Sequence, residues 1–277
     1  MVSVSADPEL RRLYRERRLI PFIGAGFSRP LGLPLWNELV EEAARQLGFE
    51  PDLFALHGGN EQLLGYLKLQ EGIEGLVAWM RERFHSKAAD EARANSVQHR
   101  SLAALTEIRT IYTTNYEHHI ERALEDAERK TVVRVSFADF SKPLPDDAVE
   151  VVKFHGDLET AGKGGRSLVL TEADYFDRLA LESPCDQRLR ADLLGNAFLF
   201  MGYRFDDRNT RYIWHRMHQM AQAHGEKLRH HSYYVTFEVG EVQRALLRRW
   251  GIKVVELDLR DPSSSISDFL SSLGAEA

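Results

Sequence analysis

Apolar residues along this chain gather in short runs, separated by stretches in which they recur every three or four positions. Short runs bounded by turn residues predict buried strands, and the longer spacing predicts helices that pack by one face. Strands are expected at 19–23, 111–113, 132–135, 149–154, 167–170, 197–201, 232–237 and 252–257. Helices are expected at 8–18, 35–47, 61–70, 74–84, 98–107, 117–128, 172–181, 187–194, 209–223, 241–250 and 265–273. In the second of these the apolar face is Leu35, Trp36, Leu39, Val40, Ala43 and Leu47, and Gly48 supplies the stop. Residues 51–107 carry helical spacing and no convincing strand, so 49–107 is expected to be a helical insertion forming a smaller subdomain. Polar Pro/Gly-containing stretches at 139–147 and 160–166 read as loops. Strand–helix alternation resumes at Arg109 and predicts an α/β fold, a parallel sheet covered by helices on both faces. The expectation is one domain over 1–277 with the insertion inside it.

Composition narrows the class without naming a chemistry. A length of 277 residues, 43% hydrophobic and 28% charged, suits a globular core. A net charge of −6 argues against direct nucleic-acid or anionic-membrane binding. No apolar run is long enough to span a bilayer, and residues 1–18 lack the core of a secretion signal. The single cysteine, Cys185, excludes an intramolecular disulfide and any multi-cysteine zinc site. A cytoplasmic protein is expected.

Candidate chemistry lies where four apolar runs end. The first run enters Gly24-Ala25-Gly26-Phe27-Ser28, a turn whose backbone can approach an anion closely. A dinucleotide fingerprint would place a third glycine where Arg29 stands, and no acidic residue at the end of a clear second strand follows about 20 residues on, so an ordinary dehydrogenase is disfavoured. A structural turn without a ligand explains the same residues equally well. Thr113-Thr114-Asn115-Tyr116-Glu117 ends the second run. The Asn115 amide can hold a water or a ribose hydroxyl, or simply cap the next helix, and Glu117 can cap or contact a ligand. Lys153-Phe154-His155-Gly156-Asp157 ends another, with an imidazole suited to proton acceptance or to a structural hydrogen bond. Met201-Gly202-Tyr203, followed by Asp206 and Asp207, repeats the theme; Gly202 can admit ribose or phosphate, or close a packed turn. In an open parallel sheet such ends converge on one crevice.

Other features take simpler readings. His118-His119, the pair His215 and His218, and His230-His231 lack a third ligand at metal spacing and read as surface histidines. Arg244, Arg248 and Arg249 read as a solvated helix face. Trp36, Trp79, Trp214 and Trp250 fall within apolar helical patterns and read as core.

Taken in order, these motifs resemble the sirtuin-like NAD-binding superfamily, in particular its bacterial antiviral-defence branch. Gly24-Ala25-Gly26-Phe27-Ser28 is similar to that family's Gly-Ala-Gly-x-Ser, and Gly32-Leu33-Pro34-Leu35-Trp36 to its Gly-x-Pro-x-Trp. Thr113-Thr114-Asn115-Tyr116-Glu117 resembles Thr-Thr-Asn-Tyr-Asp, and His155-Gly156 the His-Gly motif. Leu170-Thr171-Glu172-Ala173-Asp174-Tyr175 is similar to a segment typical of the branch, and Gly202-Tyr203 to the late Gly-Tyr-Ser, with Arg204 in place of serine.

The resemblance implies a Rossmann-like sheet and NAD as substrate, with no metal. It implies that Asn115 and His155 are catalytic, one positioning the attacking water or ribose and the other acting as base. It places Gly24, Ala25, Gly26, Phe27, Ser28, Trp36, Thr114, Glu117, Gly202, Tyr203, Arg204 and Asp207 around the nucleotide. Glu117 is one methylene longer than aspartate, and Arg204 is able to pair with a phosphate. The implied activity is cleavage of NAD to nicotinamide and ADP-ribose, as the effector of an abortive-infection anti-phage system. NAD-dependent deacylation is an alternative, but the four-cysteine zinc module of such enzymes has no counterpart here. A non-catalytic NAD or ADP-ribose sensor is the other. An enzyme that destroys NAD needs restraint, which implies a homo-oligomer or a separately encoded partner such as a nucleic-acid-handling ATPase.

Overall fold

A computed structural model describes residues 5–162, 168–178, 182–203, 211–212, 214–215, 219 and 231–275. Seven strands form one sheet: β1 (Leu19–Ile23), β2 (Thr110–Thr113), β3 (Thr131–Arg134), β4 (Val149–Lys153), β5 (Ala197–Met201), β6 (Ser232–Thr236) and β7 (Ile252–Glu256). Their order is β3-β4-β2-β1-β5-β6-β7, and every pairing is parallel. The α/β fold expected from the alternation is the fold observed. β1, β4 and β5 are buried along their whole length, as strands covered on both faces must be.

Pro21 in the middle of β1 shows how the sheet tolerates a residue without a backbone donor. Ile23 O accepts from Thr114 N on the β2 side, whereas Gly24 N donates to Met201 O on the β5 side. Backbone groups alternate sides along a strand, so Pro21, two before Ile23, turns its missing donor toward β2. Pairing of β1 with β2 begins only at Phe22↔Tyr112, beyond the proline.

The same parity divides the core into two layers. Leu19, Ile23, Ile111, Val149, Val151, Leu199 and Met201 face one side, packed by helices Pro8–Arg15, Val97–Ala103, His119–Asp126 and Pro262–Gly274. Phe22, Tyr112, Phe154, Phe198 and Phe200 face the other, with Tyr203 and Trp214. Phe22 meets the rings of Tyr112, Phe154, Phe198, Phe200 and Tyr203 at centroid distances of 5.4–6.5 Å. Truncating it to alanine would cost about 3–5 kcal/mol.

Between β1 and β2 the described residues hold only helices and turns, including Trp36–Gln46, Asn60–Gln70, Glu74–Phe84 and Lys87–Asn95. Leu39, Val40, Ala43, Leu63, Leu64, Leu67, Leu76 and Met80 make a third cluster there, which also takes in Tyr116, Leu158, Leu168 and Leu170.

Several expectations change. Leu168, Val169 and Leu170 are buried but form no strand, and Ser167 lies outside the described residues. Helices Pro51–Ala55, Lys87–Asn95 and Phe137–Phe140 were not foreseen. The helix expected at 209–223 lies largely outside the described residues; Arg211, Tyr212, Trp214, His215 and Gln219 are helical within it. No described helix is long and apolar enough to cross a membrane.

Candidate active site

The four strands that end in the predicted motifs stop at one level. Ile23 pairs with Thr113 and Met201, and Thr113 pairs with Lys153. The turns beginning at Gly24, Thr114, Phe154 and Gly202 therefore share the carboxyl edge of the sheet, where open α/β folds bind ligands.

Two of these turns are locked together by backbone contacts. Gly26 N donates to Gly202 O at 2.8 Å, and Gly24 N donates to Met201 O at 3.0 Å. Gly202 has φ +62°, and a Cβ on it would lie 2.0 Å from Phe27 N. The amides of Gly24 and Gly26 are thus engaged inside the protein, while Ala25 and Gly26 remain exposed at the edge. Phe27 and Tyr203, expected near the nucleotide, bury their rings in the two core layers. Half-buried Trp36 packs on the third cluster. Arg204 and Asp207 lie outside the described residues.

Ser28, Asn115 and Glu117 do come together. Ser28 Oγ donates to Glu117 Oε1 at 2.7 Å. Asn115 Nδ2 donates to the same oxygen at 2.9 Å and to Ser28 Oγ at 3.1 Å. The Asn115 NH2 is thereby held between the Glu117 carboxylate and the Ser28 hydroxyl, which fixes which way the amide faces. Asn115 Oδ1 is left buried with no hydrogen-bond partner among the described residues, and so is Glu117 Oε2. Asn115 N donates to Thr113 Oγ1 at 3.0 Å, which folds the turn back on β2. The helix after it starts at His119 with His118 at its N-cap, so neither Asn115 nor Glu117 caps it.

Burial pushes the Glu117 carboxyl up, yet its net direction is down. The Lys153 ammonium is the largest opposing influence, followed by His119 and the hydrogen bonds from Ser28 and Asn115. An ionised carboxylate is the stronger acceptor for the two side-chain donors.

His155 follows β4, one strand over from Asn115, and is 3% exposed. Gly156 (φ +92°) turns the chain away from it, as its position implied. His155 O accepts from Val169 N at 2.9 Å, and the Tyr175 ring meets the imidazole edge-on at 5.5 Å. Helix Glu172–Arg178 therefore covers the His155 turn; Arg178 lies 4.3 Å from the Phe154 ring centroid. Lys68 holds this helix to the insertion through Asp174 at 3.0 Å.

The two central loops are tied side by side. Leu158 N donates to Tyr116 O at 3.1 Å, and Tyr116 Oη donates to Val169 O at 2.7 Å. His118 Nε2 bonds Asp157 Oδ1. Burial lowers the His118 pKa, but the Asp157 hydrogen bond and the charges of Glu121 and Asp157 together outweigh it and the net shift is up. Burial likewise opposes ionisation of Asp157, yet His118, Lys153 and Thr160 hold its carboxyl below the usual range. The reading of His118 and His119 as surface residues is corrected. His119 is fully buried with Nε2 on Phe84 O at 2.8 Å, and only 16% of the His118 side chain is exposed. Being packed between the insertion and β4 buries them.

Sequence reasoning gave no role to Lys153, Glu121, Gln98, His99 or Tyr175. Lys153 Nζ reaches Glu117 O and pairs with Glu121 Oε1 at 3.1 Å. Gln98 Nε2 donates to Phe27 O, and the His99 ring packs edge-on to Phe27 at 4.9 Å. Burial drops the His99 pKa to about 4. Among the described residues no His/Cys/Asp/Glu cluster could hold a metal ion.

Comparison with known proteins places this geometry. The model of the SIR2-like domain matches residues 109–255, just over half of the chain. The NAD(+) hydrolase ThsA of Cytobacillus dafuensis is 31% identical over 243 residues, 84% of this chain and 45% of that protein. The NAD(+) hydrolase ThsA of Enterococcus faecium is 32% identical over 207 residues, 69% of this chain and 38% of that protein. The chain spans less than half the length of these curated relatives. A crystal structure of a SIR2 homolog–NAD complex superposes with a TM-score of 0.52 over 99% of this chain and 96% of the other. At 13% identity that likeness is one of fold. The matched segment carries the Asn115 and His155 turns and six of the seven strands of the sheet start within it, so this chain belongs to the SIR2-like domain family.

Proposed function

We propose that this chain is an NAD hydrolase that cleaves NAD to nicotinamide and ADP-ribose, with Asn115 and His155 as its catalytic residues. The observation that carries the reading is the Asn115 amide, oriented by Ser28 and Glu117 so that its buried Oδ1 has no partner among the described residues. A buried acceptor left open costs free energy unless a ligand or water fills it. A ribose hydroxyl or the attacking water can donate to it. The relatives from Cytobacillus dafuensis and Enterococcus faecium, named NAD(+) hydrolases, support the same substrate.

In the proposed reaction the bond between nicotinamide and ribose C1′ breaks, and nicotinamide leaves as a neutral base with the bonding pair. Water adds its oxygen to C1′ of the oxocarbenium-like centre, and its proton passes to His155 and then to solvent. Asn115 Oδ1 holds the water or the ribose in line, an effect of position rather than of charge. Proton acceptance by a placed imidazole contributes roughly 100- to 10,000-fold. The exposed edge at Ala25 and Gly26 would receive the pyrophosphate, with Thr114 and Gly202 around the nucleotide. In this reading the chain acts in the cytoplasm as an anti-phage effector. It is restrained until it assembles with itself or with a separately encoded partner such as a nucleic-acid-handling ATPase.

The test is nicotinamide release from NAD by purified protein, alone and with its partner. Asn115→Ala should lower it by about 100-fold or more while leaving the fold intact. Wild-type protein that binds NAD but releases no nicotinamide in either state would refute hydrolysis and favour a sensor.

A further inference from the structure

Lys153 is the most anomalous side chain in the sheet. It ends β4 within the run Val151-Val152-Lys153-Phe154, and its side chain has no exposed surface. Strand parity puts it on the face of Val149 and Val151, beneath helix His119–Asp126. A lysine there loses its hydration and persists only with partners that replace it. It has two: Glu121 Oε1 at 3.1 Å, and the main-chain oxygen of Glu117.

The second partner links Lys153 to the site. Glu117 O belongs to the turn that carries Asn115, and the Glu117 carboxylate is the acceptor that sets the Asn115 amide. Charged and titratable groups reach that carboxylate from each packed element. Lys153 comes from β4, His119 from the following helix, and His99 from helix Val97–Ala103, while Glu121 of that following helix pairs with Lys153. Ser28 and Asn115 complete its surroundings with hydrogen bonds. Of these, Lys153 does most to hold Glu117 ionised.

We propose that Lys153 is a positioning residue for Asn115: its buried ammonium anchors the turn at Glu117 and secures the carboxylate that orients the Asn115 amide. This rests on the hydrolysis reading only for its kinetic consequence. Lys153 touches neither the amide nor any atom of the proposed substrate path.

The competing account is that Lys153 merely neutralises Glu121. Lys153→Met alone would strand the Glu121 carboxylate unpaired in the interior at a cost to folding, so the informative variant is Lys153→Met with Glu121→Gln. That pair removes both charges at once, which buried ion pairs often tolerate. Two readouts are compared with wild type: kcat and KM for NAD, and hydrogen exchange of the Asn115 side-chain NH2 by NMR, assigned from its loss in Asn115→Ala. The expected result is a kcat lowered on the order of 100-fold with KM retained. NH2 exchange should be about 10-fold faster or more. Exchange unchanged from wild type overturns the proposal whatever the rate does, and so does a wild-type kcat. If wild type itself releases no nicotinamide, the hydrolysis reading fails, and the exchange measurement still decides the role of Lys153.

Discussion

Gly202→Ala tests the lock between the β1 and β5 turns. Gly202 sits at φ +62°, where an L-residue costs about 1–2 kcal/mol. The new methyl would lie 2.0 Å from Phe27 N and 2.7 Å from Phe27 Cα, so backbone rather than a pliable side chain must yield. Forcing a methyl into a packed site costs about 1–3 kcal/mol. Separating the turns also breaks Gly26 N–H to Gly202 O, for about 1 kcal/mol more. The expected destabilisation is about 3–6 kcal/mol, a large share of the roughly 5–15 kcal/mol available to a protein. It should appear as a melting temperature lower by roughly 10 °C and a matching fall in urea midpoint. Gly195→Ala is the control: a Cβ there meets nothing within 4 Å, so its effect should stay within about 0.5 kcal/mol. A Gly202→Ala protein as stable as the control would show that the two turns are not held as described.

Two other outcomes follow from buried groups. Glu117 has its folded-state pKa below its usual value, so its stabilisation is present above the unfolded pKa of about 4.3 and is lost as pH falls through the folded value. Glu117→Gln should therefore be less stable than wild type by about 1–3 kcal/mol at pH 7, with the gap closing as pH drops below 4; urea unfolding across that range measures it, and a constant gap would contradict the assignment. Cys185 is 1% exposed and burial pushes its thiol up to about 12. At pH 8 the folded protein should react with a thiol reagent on the order of 1,000-fold more slowly than the unfolded chain, and equal rates would refute its burial.

The strands were legible where apolar runs met turn residues: 19–23 and 197–201 match β1 and β5 residue for residue. The run at 167–170 misled because burial and pairing are separate events. Leu168 and Leu170 feed the third cluster, and Val169 makes one bond to His155 O rather than a ladder. Helix Lys87–Asn95 escaped notice for the opposite reason. It buries only Ala89, so its sequence has no apolar period to read, and its start is set by Ser86 capping Ala89 N.

At the site, the motif order exposed the residues at strand ends but not what holds them. Ser28, Asn115 and His155 stand just beyond apolar runs, where position alone draws attention. Lys153 stands inside one, where its charge was absorbed into the surrounding pattern. Yet a lysine flanked by Val152 and Phe154 in a strand buried on both faces must have a counter-charge within a few ångströms. Strand parity sends its side chain to the face covered by the next helix. Two acidic residues stand there, Glu117 just before the helix and Glu121 in its first turn. The lysine meets the backbone of the first and the carboxylate of the second. The charge that interrupts the apolar run thus joins the His155 strand to the Asn115 turn, and the two halves of the proposed reaction centre depend on one buried cation.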